Sequence, residues 1–140
     1  VILLDTNILS ELMRADPNPH VEQWLGGQPD ASIFISAITE AELRYGAALL
    51  PSGKRRLALT AEIEAMLKDD FSGRILPFDS LAAQAFATIA AGRRQAGKPI
   101  SQADAQIASI ARSRGASLAT RKVDEFAGCE VEIINPWELG

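Results

Sequence analysis

The sequence predicts an α/β domain built on a mainly parallel sheet. Three observations carry that reading: short apolar runs recur along the chain, longer segments with helical apolar spacing separate them, and the length suits one buried core. The 140 residues are 47% hydrophobic and 23% charged, which matches a single domain over residues 1–140 and excludes a disordered or disulfide-dense chain.

Taken in order, Val1-Ile-Leu-Leu4 is a continuous apolar run, as expected of a strand covered on both faces, and it ends in Asp5-Thr6-Asn7. Helices are expected over Ile8–Arg14 and Pro19–Leu25, then a second strand over Ser32–Ser36. A helix pair follows over Ile38–Leu50 and Arg55–Lys68, punctuated by Pro51-Ser-Gly53. The third strand is expected over Arg74–Phe78, and a second helix pair over Ser80–Gln95 and Gln102–Arg114 is punctuated by Gly97-Lys-Pro99. Strands over Ala116–Thr120 and Val131–Asn135 complete the alternation. No repeat, low-complexity tract or linker divides it.

Composition narrows the chemistry. Cys129 is the only cysteine and His20 the only histidine, so an internal disulfide, a Cys/His zinc site and any histidine-activated nucleophile not built on His20 are excluded. A reducing, cytoplasmic compartment is the expectation. His20 opens a surface helix, where it reads as solvated. The longest uncharged stretch, Ser80–Gly92, is too short and too polar to span a membrane, and Val1–Leu4 meets Asp5 too soon to be a secretory signal. A net charge of -4 argues against broad attraction to nucleic acid, but carboxylates neutralised by a metal escape that argument.

Three acids stand where a core is expected. A rotation of about 100° per residue puts Ile38, Glu42, Tyr45 and Leu49 on one apolar stripe, while Glu40 falls opposite with Arg44 four residues on. Asp104 shares a stripe with Ile107, Ala108 and Ala111. Asp5 follows a buried strand at the carboxyl end, where open parallel sheets place ligand crevices. Capping is the structural alternative: Ser101–Asp104 and Thr39–Glu42 fit capping boxes, and Asp5 or Asn7 fits a helix start. Gathered carboxylates repel unless a cation joins them, so a hard oxygen site for Mg²⁺ or Mn²⁺ is the economical joint explanation.

The chain also carries Val1-Ile-Leu-Leu-Asp5-Thr-Asn-Ile-Leu-Ser-Glu11, Ile35-Ser-Ala-Ile-Thr-Glu-Ala-Glu42-Leu-Arg-Tyr-Gly46, Gly73-Arg-Ile-Leu-Pro-Phe-Asp79, Ile100-Ser-Gln-Ala-Asp104-Ala-Gln-Ile-Ala108, Ala119-Thr-Arg121 and Asn135-Pro-Trp137. As an ordered set covering nearly the whole length, these resemble the PIN-domain toxins of type II toxin-antitoxin systems, the VapC/FitB-like group in particular. The resemblance implies a three-layer α/β/α fold and a metal-dependent endoribonuclease hydrolysing RNA phosphodiester bonds. It places the family's metal-binding and catalytic acids on Asp5, Glu42 and Asp104, and substrate-positioning or supporting roles on Thr6, Asn7, Thr120, Arg121 and Lys122. It further implies a homodimer and a small VapB/FitA-like antitoxin, whose other half binds operator DNA.

One position departs from the pattern. After Thr120-Arg121 the family commonly has Asn or Asp, and often another Asp three positions later; this chain has Lys122 and Glu125, with Asp124 alongside. Asp124 and Glu125 are therefore uncertain members of the acidic set and read equally as exposed loop charges. A Lys122 side chain pointing inward would disfavour a second ion or instead touch the phosphate. The altered position leaves an alternative: a catalytically impaired PIN domain acting mainly as an antitoxin and operator-binding partner. A small-molecule phosphohydrolase is a third reading, disfavoured because neither a Walker loop nor a nucleotide fingerprint is present.

Overall fold

The computed structural model describes residues 1–139. Five parallel strands form one sheet in the order β3-β2-β1-β4-β5: β1 (Ile2–Leu4), β2 (Ile33–Ser36), β3 (Ile75–Leu76), β4 (Ser117–Ala119) and β5 (Ile133–Ile134). The helices are α1 (Thr6–Leu12), α2 (Pro19–Gly26), α3 (Ala37–Ala48), α4 (Lys54–Asp69), α5 (Ser80–Gln95) and α6 (Gln102–Ser113). Short 3₁₀ turns at Asp30–Ser32 and Asp124–Phe126 lead towards β2 and β5. The three-layer α/β/α reading holds, with every strand pair parallel. No helix among the described residues is long and apolar enough to cross a membrane.

Alternation along β1 and β4 divides the core into two. Leu3 and Leu118 are register partners and share one cluster with Ile89, Ile107 and Ile110 of α5 and α6. Leu4 and Ala119, the next partners, share the opposite cluster with Ile8, Val21, Ile35, Leu43 and Ile63. Both faces of the central strands are thus dry, which is why Val1–Leu4 reads as an unbroken apolar run.

Most differences from the expected boundaries lie at element ends. Helix α1 starts two residues earlier than expected because the Asp5 carboxylate accepts from the Thr6 amide and caps it. Strands β3 and β5 keep only two residues each, being the sheet edges with one neighbour apiece. The cap of α3 is Ser36, whose Oγ accepts from the Thr39 amide at 3.0 Å, so the box starting at Thr39 is not the one used. Ser101 does cap α6, accepting from the Asp104 amide at 3.2 Å.

The strand order has a functional consequence. From β1 the chain adds β2 and β3 on one side, then crosses through α5 and α6 to add β4 and β5 on the other. The reversal falls between β1 and β4, and the crevice beyond their carboxyl ends is the position where this kind of sheet binds ligands. Asp5 and Thr120 are the residues that leave those two strands.

Because Leu118 is fully buried between β1 and α6, Leu118→Ala leaves a cavity and is expected to cost about 3 kcal/mol in urea unfolding. Leu81→Ala on the 60%-exposed surface position of α5 is expected to shift stability by less than about 0.5 kcal/mol in the same assay.

Candidate active site at the β1–β4 switch point

Asp5 is the centre of the site, 1% exposed at the end of the central strand. Its backbone amide continues the sheet ladder to the Ala119 carbonyl at 2.9 Å, which fixes where the carboxylate begins. Oδ1 accepts from the Thr6 amide at 2.8 Å; Oδ2 accepts from Thr120 Oγ1 at 2.8 Å and from Asn7 Nδ2 at 3.2 Å. Asn7 also donates to Thr120 Oγ1 at 3.0 Å and accepts from the Arg121 amide at 3.2 Å. Thr6, Asn7 and Thr120 therefore form a scaffold around Asp5, tying α1 to the end of β4.

Those donors do not fully offset burial. Desolvation pushes the Asp5 carboxyl above the usual carboxylate range, against the Thr120 and Thr6 hydrogen bonds and the field of Lys122, and Asp104 adds repulsion.

Asp104 faces inward from the first turn of α6 and is 8% exposed. Its Oδ1 accepts from Lys122 Nζ at 2.9 Å. The capping alternative is thus divided by atom: the Asp104 backbone serves the cap and its carboxylate serves the crevice. Burial works against the charge of Lys122, but the Asp104 hydrogen bond and the pull of Asp5, Asp104 and Glu42 prevail and hold its pKa above the usual lysine value.

Glu42 requires a correction to the stripe argument. The buried face of α3 is Thr39, Leu43 and Ala47; Glu42 is exposed, and its stripe partners Tyr45 and Leu49 are 66% and 64% exposed. Of that stripe Ile38 packs against the core while Tyr45 and Leu49 point outward, and Glu42 lines a groove of about 290 Å³ together with Thr6, Met13, Gly46 and Leu59. Glu42 reaches the site by another route, since Oε1 accepts from Thr6 Oγ1 at 2.6 Å. Glu40 lies apart and pairs with Arg44 at 2.8 Å, as its spacing indicates.

The remaining candidates fall outside this core. Arg121 lies over the Trp137 ring at 5.2 Å, its side chain directed to the C-terminal segment. Asp124 and Glu125 are exposed on a 3₁₀ turn, and His20 is exposed on α2. A larger cavity of about 590 Å³, lined by Leu9, Leu25, Met66 and Phe71 with Arg74 at its edge, lies away from the acids, and Arg74 there bonds backbone carbonyls.

Sequence reasoning gave no site role to Thr39 or Trp137. Thr39 is fully buried with Oγ1 3.0 Å from Thr6 Oγ1, which orients the hydroxyl that holds Glu42. Its signal was a β-hydroxyl three residues before Glu42 on the same helix. Trp137 also donates from Nε1 to Glu11 at 3.4 Å, and no local pattern announces a contact over that sequence distance.

The donor set suits a hard cation, since Asp5, Glu42 and Asp104 offer only carboxylate oxygens. As they stand, no three acidic, histidine or cysteine side chains among the described residues form a ready metal-binding group. The Lys122 ammonium is bonded to Asp104 and lies within the field of Asp5 and Glu42.

Fold and site together define an α/β protein with an acidic crevice at the switch point of a parallel sheet. The PIN-domain family model matches residues 2–126, and the chain belongs to that family. It is 41% identical over 138 residues to the VapC ribonuclease Y4jK of Sinorhizobium fredii, covering 99% of each chain. To toxin FitB of Neisseria gonorrhoeae it is 42% identical over 137 residues, covering 98% of this chain and 99% of FitB. The solved structure of FitAB bound to an IR36 DNA fragment contains a chain that matches with a TM-score of 0.93 at 41% identity, covering 100% of this chain and 98% of that one.

Asp5→Asn removes the buried charge while keeping an acceptor for the Thr6 amide. The raised folded pKa means that the native state binds more protons than the unfolded chain between the ordinary carboxylate value and the raised one, so stability falls as pH rises through that window and the deficit persists at neutral pH. The metal-free variant is therefore expected to melt at a higher temperature than the parent at neutral pH. Thermal melts against pH check this; the gain should shrink towards pH 4.

Proposed function

We propose that this chain is a divalent-metal-dependent endoribonuclease, the toxin of a toxin-antitoxin pair, with the activity residing in one domain over residues 1–140. The observation that carries the reading is the hydrogen-bonded chain that links Glu42 through Thr6 to the buried Asp5, and Asp5 through Thr120 and Lys122 to Asp104, at the β1–β4 switch point of a PIN-domain chain similar to a VapC ribonuclease along its whole length. Asp5, Glu42 and Asp104 would hold Mg²⁺ or Mn²⁺, which when bound supplies Lewis-acid polarisation of the phosphate and a more acidic attacking water.

The chain's own groups do the rest. Thr120, Asn7 and the Thr6 amide fix the Asp5 carboxylate in one orientation, so no reorganisation is needed when a cation and a phosphate arrive. Thr6 holds Glu42 against that centre, and the exposed Arg121 and Lys122, which follow Thr120, would supply positive charge to an RNA backbone. Lys54, Arg55, Arg56, Arg93, Arg94, Arg112 and Arg114 supply outlying positive charge.

The partner follows from the surface. Tyr45, Leu49 and Leu57 are exposed on α3 and α4, on the helices that also line the groove at Glu42, and they offer anchors for an antitoxin segment that covers the acids. The likeness to FitAB bound to DNA supports a VapB/FitA-like partner that carries the operator-binding half, with this chain in a cytoplasmic homodimer. The Lys122–Asp104 pair favours one second reading, a catalytically impaired domain retained as an antitoxin and operator partner.

Purified protein incubated with a panel of RNAs in Mg²⁺, in Mn²⁺ and in chelator decides between the two. Cleavage that chelator abolishes is expected, together with a loss of at least about 100-fold in Asp5→Asn and Asp104→Asn variants whose circular dichroism is unchanged. Glu40→Gln, on the other side of α3, should cleave like the parent. Cleavage that persists in both Asn variants would sink the assignment.

Co-expression with a VapB/FitA-like antitoxin should yield a complex that no longer cleaves. Leu49→Glu with Leu57→Glu should weaken that complex at least about tenfold, read by titration calorimetry, while leaving cleavage by the free protein intact. Unchanged affinity would move the antitoxin to another face.

A further inference from the structure

Lys122 is held so that its ammonium competes for a ligand. Its backbone amide donates to Thr120 Oγ1 at 3.0 Å, which pins the residue to the end of β4. From there the side chain reaches back to Asp104 Oδ1 at 2.9 Å, with its Nζ 5.9 Å from the Phe126 ring. The negative charges of Asp5 and Glu42 also act on this ammonium. The Lys122 side chain is 46% exposed and Asp104 11%, so the lysine can leave while the acid stays.

An ammonium has three donors and no lone pair, and therefore satisfies a carboxylate in the way a bound cation does. Two cations cannot share Asp104 Oδ1 at bonding distance without strong mutual repulsion. A divalent ion at Asp104 Oδ1 and the present position of Lys122 exclude each other.

We propose that Lys122 is a tethered counter-ion standing in the place of a metal ion at Asp104, so that a divalent ion enters the site only by displacing it and is held more weakly for that reason. The inference rests on the metal-dependent reading above. Metal-free, the pair also relieves the repulsion among Asp5, Glu42 and Asp104, so the chain is stabilised by the same contact that limits metal binding. Once displaced, the long flexible stem carries the ammonium outward, where an RNA phosphate is the natural acceptor.

The test is calorimetric titration of Mn²⁺ into metal-free parent, Lys122→Met and Lys122→Arg, with thermal melts of each protein with and without Mn²⁺. Lys122→Met keeps an unbranched stem of similar length and removes the charge; it should bind Mn²⁺ at least about tenfold more tightly, melt lower without metal, and gain more on adding it. Lys122→Arg should bind as weakly as the parent. Equal affinity in parent and Lys122→Met overturns the proposal and leaves the metal-dependent reading standing. Tighter binding in Lys122→Arg as well also overturns it, because charge would not be the cause. No binding by any of the three at millimolar Mn²⁺ overturns both readings. Lys122→Gln provides the neutral side chain if Lys122→Met fails to fold, with the same outcomes applied.

Discussion

Burying the Asp5 carboxylate at the end of the central strand is the constraint on which the rest of the site depends. An acid 1% exposed needs donors within reach, and these come from the first turn of α1 and the end of β4. Delivering Thr120 to Asp5 requires the register that pairs Leu4 with Ala119. A one-residue slip would exchange the two faces of β4, put Leu118 and Ala119 into the wrong clusters and remove Thr120 from the carboxylate. The apolar layers above and below the sheet thus fix the polar site at its edge, and the two cannot be altered independently.

How much of this was legible in the sequence depends on the range of the forces involved. Strand and helix order was readable because apolar periodicity is local, and the acidic crevice was readable because Asp5 sits at the end of an apolar run and Asp104 on a buried stripe. Glu42 shows the limit of the same reasoning. Periodicity finds an apolar stripe, but it cannot distinguish side chains packed on a sheet from ones left at the surface, and Tyr45 and Leu49 are of the second kind. The direction of Lys122 was open for a related reason: whether its stem folds back to Asp104 is set by the turn after β4 and by Phe126, neither of which a residue pattern encodes.

Glu11 gives the contrast to the three acids of the crevice. It is 5% exposed, yet the Asn18 amide, the Arg14 guanidinium and the Trp137 indole all reach it, and they hold its carboxyl below the usual range despite burial. Every donor in that cluster belongs to the join between α1, the α1–α2 loop and the C-terminal segment. Glu11 is an acid whose charge the fold has satisfied internally. Asp5 has hydrogen bonds but no cation of its own in contact, and its pKa moves the opposite way.

The direction of that shift has a physical meaning. A fold that needed Asp5 only as a helix cap would be served by Ser, Thr or Asn, each of which caps without the desolvation of a buried charge. Retaining a carboxylate there, with Asp104 and Glu42 near enough to act on the same ammonium, leaves negative charge in surplus over the cations the site itself provides. Structural acids are arranged to remove such a surplus, as Glu11 demonstrates. An arrangement that keeps it is stable only with help from outside or from a flexible side chain. Lys122 is that side chain here, paired with Asp104, and its partial exposure leaves the charge it supplies free to move.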